Sequence, residues 1–316
     1  MNFELNEDQA ALIDGISGLM SRHLEGPKDG NVSASVHAHY SAALDRDLAE
    51  AGFFGIAREE GFGPLDAVLL VEQAYRSLSS VEVAASAIIA PQLLPADIPR
   101  PVAVARADEL ARPIRFLNVA RTLIVDNGDE ALVLDLAGVD VDLTPGIFGF
   151  TYGAFRTRPD LGAARRLGSG SGARLRLWWR VALAAEIGAA MVQALEFTTE
   201  YVKNRRQFGR PVGSFQAVQH RIAVDTQIAE ATRWLARRAA WSGSEADAAT
   251  AALHAQEWTG QVCVDCHQFN GALGITLEHP LHFWTFRLRA LQGELGGMAV
   301  QAAALADARW GRVAAA

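Results

Sequence analysis

One interruption constrains this chain more than any other feature. Two long apolar-periodic runs, about Leu177 to Lys203 and Phe215 to Trp241, are separated by Asn204-Arg205-Arg206-Gln207-Phe208-Gly209-Arg210-Pro211. Gly209, Pro211 and Gly213 account for the break between two helices. They do not account for three arginines. Guanidiniums at a helix break, followed by polar side chains in the next first turn, suit a bound pyrophosphate. A solvated basic loop between helices satisfies the same residues.

The runs on either side predict a largely helical molecule. Ala10, Leu12, Ile13, Ile16, Leu19 and Met20 fall on one helical face between Glu7 and Leu24. Gly26 to Ser33 reads as a loop, Ala38 to Ala51 as a second helix, Pro64 to Leu78 as a third and Val81 to Ile89 as a fourth. From Pro91 to Gly172 the period changes to two. Pro101–Ala105, Leu117–Asp126, Glu130–Leu136 and Val139–Leu143 read as short strands, and the Gly/Ser run at Gly168–Gly172 as a linker or hairpin tip. Helices return near Leu177, Phe215, Glu245 and His279, the last running to Trp310. Val224, Ile228, Ala231 and Leu235 mark a buried stripe on the second of these, with Phe215, Val218 and Ile222 as another; Asp225 and Glu230 are expected to face solvent or the loop arginines. The fold class is mainly α: an N-terminal helical domain (1–90), a small, reduced β domain (91–174) and a C-terminal four-helix bundle (175–316).

Charge narrows the function. A net charge of −7 and an isoelectric point near 5.6 argue against nucleic-acid binding. The acidic N-terminus lacks the apolar stretch of a signal peptide, no apolar run is expected to cross a bilayer, and two cysteines make no disulfide framework, so a cytoplasmic protein is expected. Cys263-Val264-Asp265-Cys266-His267 matches a haem-attachment spacing, but it lies inside a predicted helix and reads as packed core. His279 and His282 read as structural histidines, and Trp178, Trp179, Trp234 and Trp258 as core.

In this order of domains the chain resembles the acyl-CoA dehydrogenases over nearly its whole length. Arg205-Arg206-Gln207-Phe208-Gly209 is similar to that family's Arg-x-x-Phe-Gly flavin-contact loop, and Gln216 keeps the family's distance from Phe208. Gln268-Phe269-Asn270-Gly271-Ala272-Leu273-Gly274 resembles its Gln-x-x-Gly-Gly-x-Gly turn, with Ala272 for the second glycine, and Thr276–His282 resembles the sequel. Leu48-Ala49-Glu50-Ala51-Gly52 fits the first domain. The resemblance implies FAD at a subunit interface, contacted by Arg205, Gln207, Phe208, Gln216, Gln268, Gly271, Ala272 and Gly274. It implies α,β-dehydrogenation of an acyl-CoA thioester, with reoxidation by an electron-transfer flavoprotein. Arg180 matches an arginine on the substrate side of the first bundle helix.

The sequence departs from the family at the catalytic base. One family position for the glutamate, immediately before the arginine matched by Arg180, holds Trp179, which would fill and occlude that pocket. The other falls near Glu294, which lacks the Glu-Gly-Thr context and sits one residue out of register, a rotation of about 100° on a helix. The β region also lacks the segments that hold the flavin ring. A general base is worth about 10² to 10⁴ in rate. The expected assembly is therefore a mixed α2β2 dehydrogenase whose longer subunit supplies base, ring pocket and substrate cleft. Such mixed tetramers resemble those acting on steroid side-chain thioesters. The alternatives are a homo-oligomer using Glu294 and a non-catalytic scaffold descended from the family.

Overall fold

The computed structural model describes residues 4–23, 40–144 and 149–311. Helix α1 (Glu7–Met20) begins at a capping box, in which Asn6 accepts from the Gln9 amide and Gln9 reaches back to the Asn6 amide at 3.2 Å. The expected loop at Gly26–Ser33 lies outside the described residues, as do Ala38 and His39. The second helix, α2 (Ala42–Glu50), starts later than expected, because Tyr40 bridges Ser80 and Ser41 caps the helix by accepting from the Leu44 amide. Helix α3 (Pro64–Ala74) carries proline in its first turn, and Asp66 accepts from the Gly63 amide.

The fourth helix forms later than its apolar pattern predicts. A π-turn at Ala85–Ile89 runs into α4 (Ala90–Leu93). The buried Glu82 carboxylate accepts from the amides of Ala85, Ser86 and Val102, so it caps the helix instead of lying within it.

Seven strands follow: β1 (Val102–Arg106), β2 (Ile114–Arg115), β3 (Thr122–Asn127), β4 (Glu130–Asp135), β5 (Val141–Thr144), β6 (Tyr152–Phe155) and β7 (Arg165–Ser169). One sheet has the order β1-β3-β4-β7, with β1 parallel to β3, and the other the order β2-β6-β5. The strand expected from Leu117 starts only at Thr122, because left-handed Phe116 (φ 63°) turns the chain first. The Gly168–Gly172 run is no loose linker. Strand β7 ends at Ser169, and α5 (Ser171–Asn204) starts at once, with Gly172 so close to Gly128 that a Cβ would lie 2.1 Å from its carbonyl oxygen.

Helix α5 is the axis of the bundle formed with α6 (Gln216–Ser242), α7 (Glu245–Gly274), α8 (Leu281–Gln292) and α9 (Gly297–Trp310). The single last helix expected from His279 to Trp310 is broken by successive left-handed residues, Leu295 (φ 53°), Gly296 (85°) and Gly297 (71°). On α6 the expected stripe is displaced. Val224 is exposed and Asp225 is fully buried, because the inward face runs through Asp225, Ile228, Ala229, Thr232 and Ala236. On the same face Arg237 and Arg233 pair with the buried Glu72 of α3.

One hydrophobic cluster joins the N-terminal helices to the bundle, from Leu12 to Leu295. A second lies wholly within the β region, from Ala103 to Leu136. Arg287 of α8 links all three parts, donating to the carbonyls of Ser77 (3.1 Å), Leu78 (2.5 Å) and Gly149 (3.4 Å). The expectation of no bilayer-length segment is corrected by α5. It has an 18-residue window of mean hydropathy 1.4, long and apolar enough to cross a bilayer by length and composition, but 78% of that window is buried inside the molecule. Its apolar residues are those of a core helix.

Candidate functional site

Arg205 leaves the end of α5 in an extended conformation, and β8 (Arg206–Gln207) pairs with β9 (Arg210–Pro211) around Phe208 and Gly209. Both turn residues have positive φ, 54° and 78°. That is the two-residue hairpin geometry for which Asn-Gly is preferred. A left-handed phenylalanine costs about 1–3 kcal/mol. Phe208 is nonetheless 90% exposed, and the ring contact described for it is edge-on to Phe215 at 6.1 Å. Among the described residues no burial offsets its strain. Arg210 stacks over Phe215 at 3.9 Å. No carboxylate occurs between Asn204 and His220, so the hairpin is a concentrated positive charge. Arg205, Gln207 and Gln216 are all exposed.

The second group lies at the same end of α5. At the end of α7, Gly271 adopts φ 60°, ψ −145°, a region essentially reserved for glycine. A Cβ there would meet nothing within 4 Å, so the surface beside it is open to a ligand. Gly274 is different: its Cβ would lie 2.7 Å from Asn270 Cβ, and glycine there serves the chain's own packing. Asn270 Nδ2 donates to Thr198 Oγ1 of α5 at 2.9 Å, and its Oδ1 is buried without a partner. Thr198 and Arg205 are seven residues apart, about 10 Å along the axis. Gln268 and Ala272 are exposed on this turn. The two groups fit the anionic and adenosine half of FAD. The β region offers the ring half no such cradle at Gly153, where a Cβ would sit 2.5 Å from the Asn118 nitrogen.

Glu294 belongs to a third place. A cavity of about 240 Å³ between the N-terminal helices, the β region and the bundle is lined by Glu82, Arg115, Phe116, Trp179, Glu186 and Glu294, among others. Arg115 binds Glu186 with two parallel bonds, Nη1 to Oε1 at 2.7 Å and Nη2 to Oε2 at 2.8 Å. Its Nε and Nη2 also donate to Glu294, at 2.7 and 3.1 Å. Tyr75 donates to Glu186 at 2.9 Å, and Trp179 lines the cavity with Glu294. The guanidinium lies 4.7 Å from the Phe150 ring centroid. Burial works against the Arg115 charge, but Glu186 and Glu294 outweigh it and hold the group well above its ordinary value. Burial pushes Glu294 up, with Arg115 opposing.

Arg180 does not line this cavity. It is buried, its Nε donating to Gln301 Oε1 of α9 at 2.8 Å, with Nη1 unpartnered. Arg115 and Tyr75 carry no periodic or motif signal in the sequence. Glu186 does: it is the lone charge in the apolar run Val181–Met191. The two cysteines are buried within α7, and burial pushes the Cys263 thiol up to about 12. Among the described residues no group of three or more side chains could hold a metal.

Residues 177–309 match the family model for the acyl-CoA dehydrogenase C-terminal domain. Acyl-CoA dehydrogenase IpdE2 of Mycobacterium tuberculosis is 39% identical over 104 residues, a stretch that spans only 33% of either chain. The IpdE2 of Mycolicibacterium smegmatis is 27% identical over 309 residues, covering 92% of this chain and 96% of the relative. A chain in the crystal structure of the ChsE4-ChsE5 complex from Mycobacterium tuberculosis superposes with a TM-score of 0.73 at 21% identity, over 96% of this chain and 97% of that one, a likeness of fold.

Proposed function

We propose that this chain, which belongs to the acyl-CoA dehydrogenase family, completes the flavin site of a longer partner subunit in an FAD-dependent acyl-CoA dehydrogenase. One observation carries the proposal. Glu186, the anchor of the Glu294 network, and Asn204, the last residue of α5 before Arg205, are eighteen residues apart, about 27 Å along its axis. The pyrophosphate of a dinucleotide lies at its middle. A flavin whose pyrophosphate rests on the hairpin cannot bring its ring to this chain's own Glu294. The hairpin therefore serves a ring held elsewhere.

FAD, when bound, accepts the hydride from the thioester β-carbon. The chain's residues hold it. Arg205 and Arg206 offer charge-assisted bonds to the pyrophosphate. Phe208 covers the cofactor and keeps water from it. Gln207, Gln216 and Gln268 present amides, and Gly271 lets the backbone approach closely. Removal of the α-proton falls to a carboxylate of the partner. A steroid-derived thioester is the first substrate to try, by analogy with the mixed tetramers the sequence resembles. An electron-transfer flavoprotein and a cytoplasmic setting complete the reading.

The test is the visible absorbance of flavin. The chain alone should be nearly colourless and should gain colour and dehydrogenase activity when co-expressed with a longer paralogue. One observation favours a second reading, a homo-oligomer using its own base: Glu294 does face the cavity. That protein would be yellow and active alone, and Glu294→Gln would abolish turnover. A chain colourless with every partner would be a scaffold.

A further inference from the structure

We infer that Arg115 is a latch on this chain's own cavity, tying Glu294 to Glu186 so that no free carboxylate faces an acyl thioester there. The inference rests on the reading above and deepens it, since it states why turnover belongs to the partner's pocket.

The geometry commits four of the five N–H groups of the guanidinium. Nη1 and Nη2 grip Glu186, and Nε and Nη2 grip Glu294. Glu294 accepts from Arg115 through both oxygens. To take a proton from a thioester α-carbon, a carboxylate needs an oxygen within hydrogen-bond reach of it. Glu294 would first have to leave a buried cation. The backbone adds to the restraint. Phe116, immediately after Arg115, has φ 63°, and Leu295, immediately after Glu294, has φ 53°. Both partners of the ion pair are thus followed by left-handed residues, a conformation that persists only where the surroundings over-determine it. Side-chain exposure falls from Glu294 (20%) through Arg115 (14%) to Glu186 (4%), so the outer end of the latch is Glu294.

The charged and titratable groups around Glu294 are Arg115 from β2, Glu186 from α5 and Tyr152 from β6, with Glu82, Glu109 and Arg112 lining the same cavity, and Tyr75 just after α3 and Arg287 of α8 beyond Glu186. Without Arg115, the largest influence opposing burial at Glu294 is gone. Its acid form then persists to higher pH and donates to a thioester carbonyl instead of repelling the phosphates of CoA.

The test is calorimetric titration of the chain with butanoyl-CoA between pH 6 and 9. Arg115→Met would leave two buried carboxylates bare, so it is made together with Glu186→Gln, and a melting curve establishes that the double variant folds. The wild type should show weak, pH-independent binding. The double variant should bind at least tenfold more tightly, more so as pH falls, and adding Glu294→Gln should remove the pH dependence. Wild-type binding as tight as the variant's overturns the latch, as does a folded double variant that gains nothing, or a gain that stays pH-dependent without Glu294. Flavin content on co-expression is read separately: a colourless complex ends the assembly reading, whatever the titration shows.

Discussion

Phe208 shows how one residue can be costly to a chain and useful to an assembly. It is left-handed and exposed, with an edge-on contact to Phe215. Phe208→Asn would create the Asn-Gly pair that the turn prefers. It should raise the unfolding free energy of the isolated chain by about 1 kcal/mol, read from urea denaturation, and weaken flavin retention in the complex about tenfold, the loss of one aromatic contact. Asp225 is a second case. Burial pushes its pKa from 3.8 to about 6, with Asp265 adding to the rise and Gln261 and Arg221 opposing it. The folded state then holds a proton that the unfolded state has lost, so stability falls as pH rises from about 4 to about 6 and stays lower above that. Asp225→Asn should flatten this window and stabilise the protein at pH 7 by roughly 1–3 kcal/mol, read from melting curves against pH. Tyr75→Phe removes one donor to Glu186 and should cost about 1–2 kcal/mol, measured the same way.

At the scale of elements, legibility follows the range of the forces. Helices α5 and α6 are readable because their apolar periodicity and the break at Gly209, Pro211 and Gly213 are local. The hairpin was readable because a glycine and a proline frame its arginines. The break at Glu294–Gly296 was not, since Leu295 has no turn propensity and is held left-handed by burial at 5% exposure. Nor was the inward turn of Asp225, which depends on Gln261 and Asp265 across the helix pair. The junction of β7 with α5 is another tertiary constraint. Gly172 lies against the Gly128 carbonyl with no room for a methyl group. Gly172→Ala should cost about 1–3 kcal/mol through overpacking, with the loss visible as a lower denaturation midpoint. The Arg115 network joins β2, α5 and the segment after α8, three places with no sequence relation, and its one local sign was the isolated charge of Glu186.

On the scale of the whole molecule, two hydrophobic clusters divide the chain. The larger unites the N-terminal helices with the bundle and takes in Val102, Ile124 and Ala131 from one side of the sheet, and the smaller lies within the β region. Hydrogen exchange should resolve them, with the amides of β3 and β4 forming a class that exchanges separately from those of α5. A single exchange class throughout would contradict that division. Arg287 ties these parts through carbonyls at Ser77, Leu78 and Gly149. Ribosomes deliver the N-terminus first. Three acceptors made early must wait for one donor made late, so a nascent chain cannot close its centre until that guanidinium clears the exit tunnel.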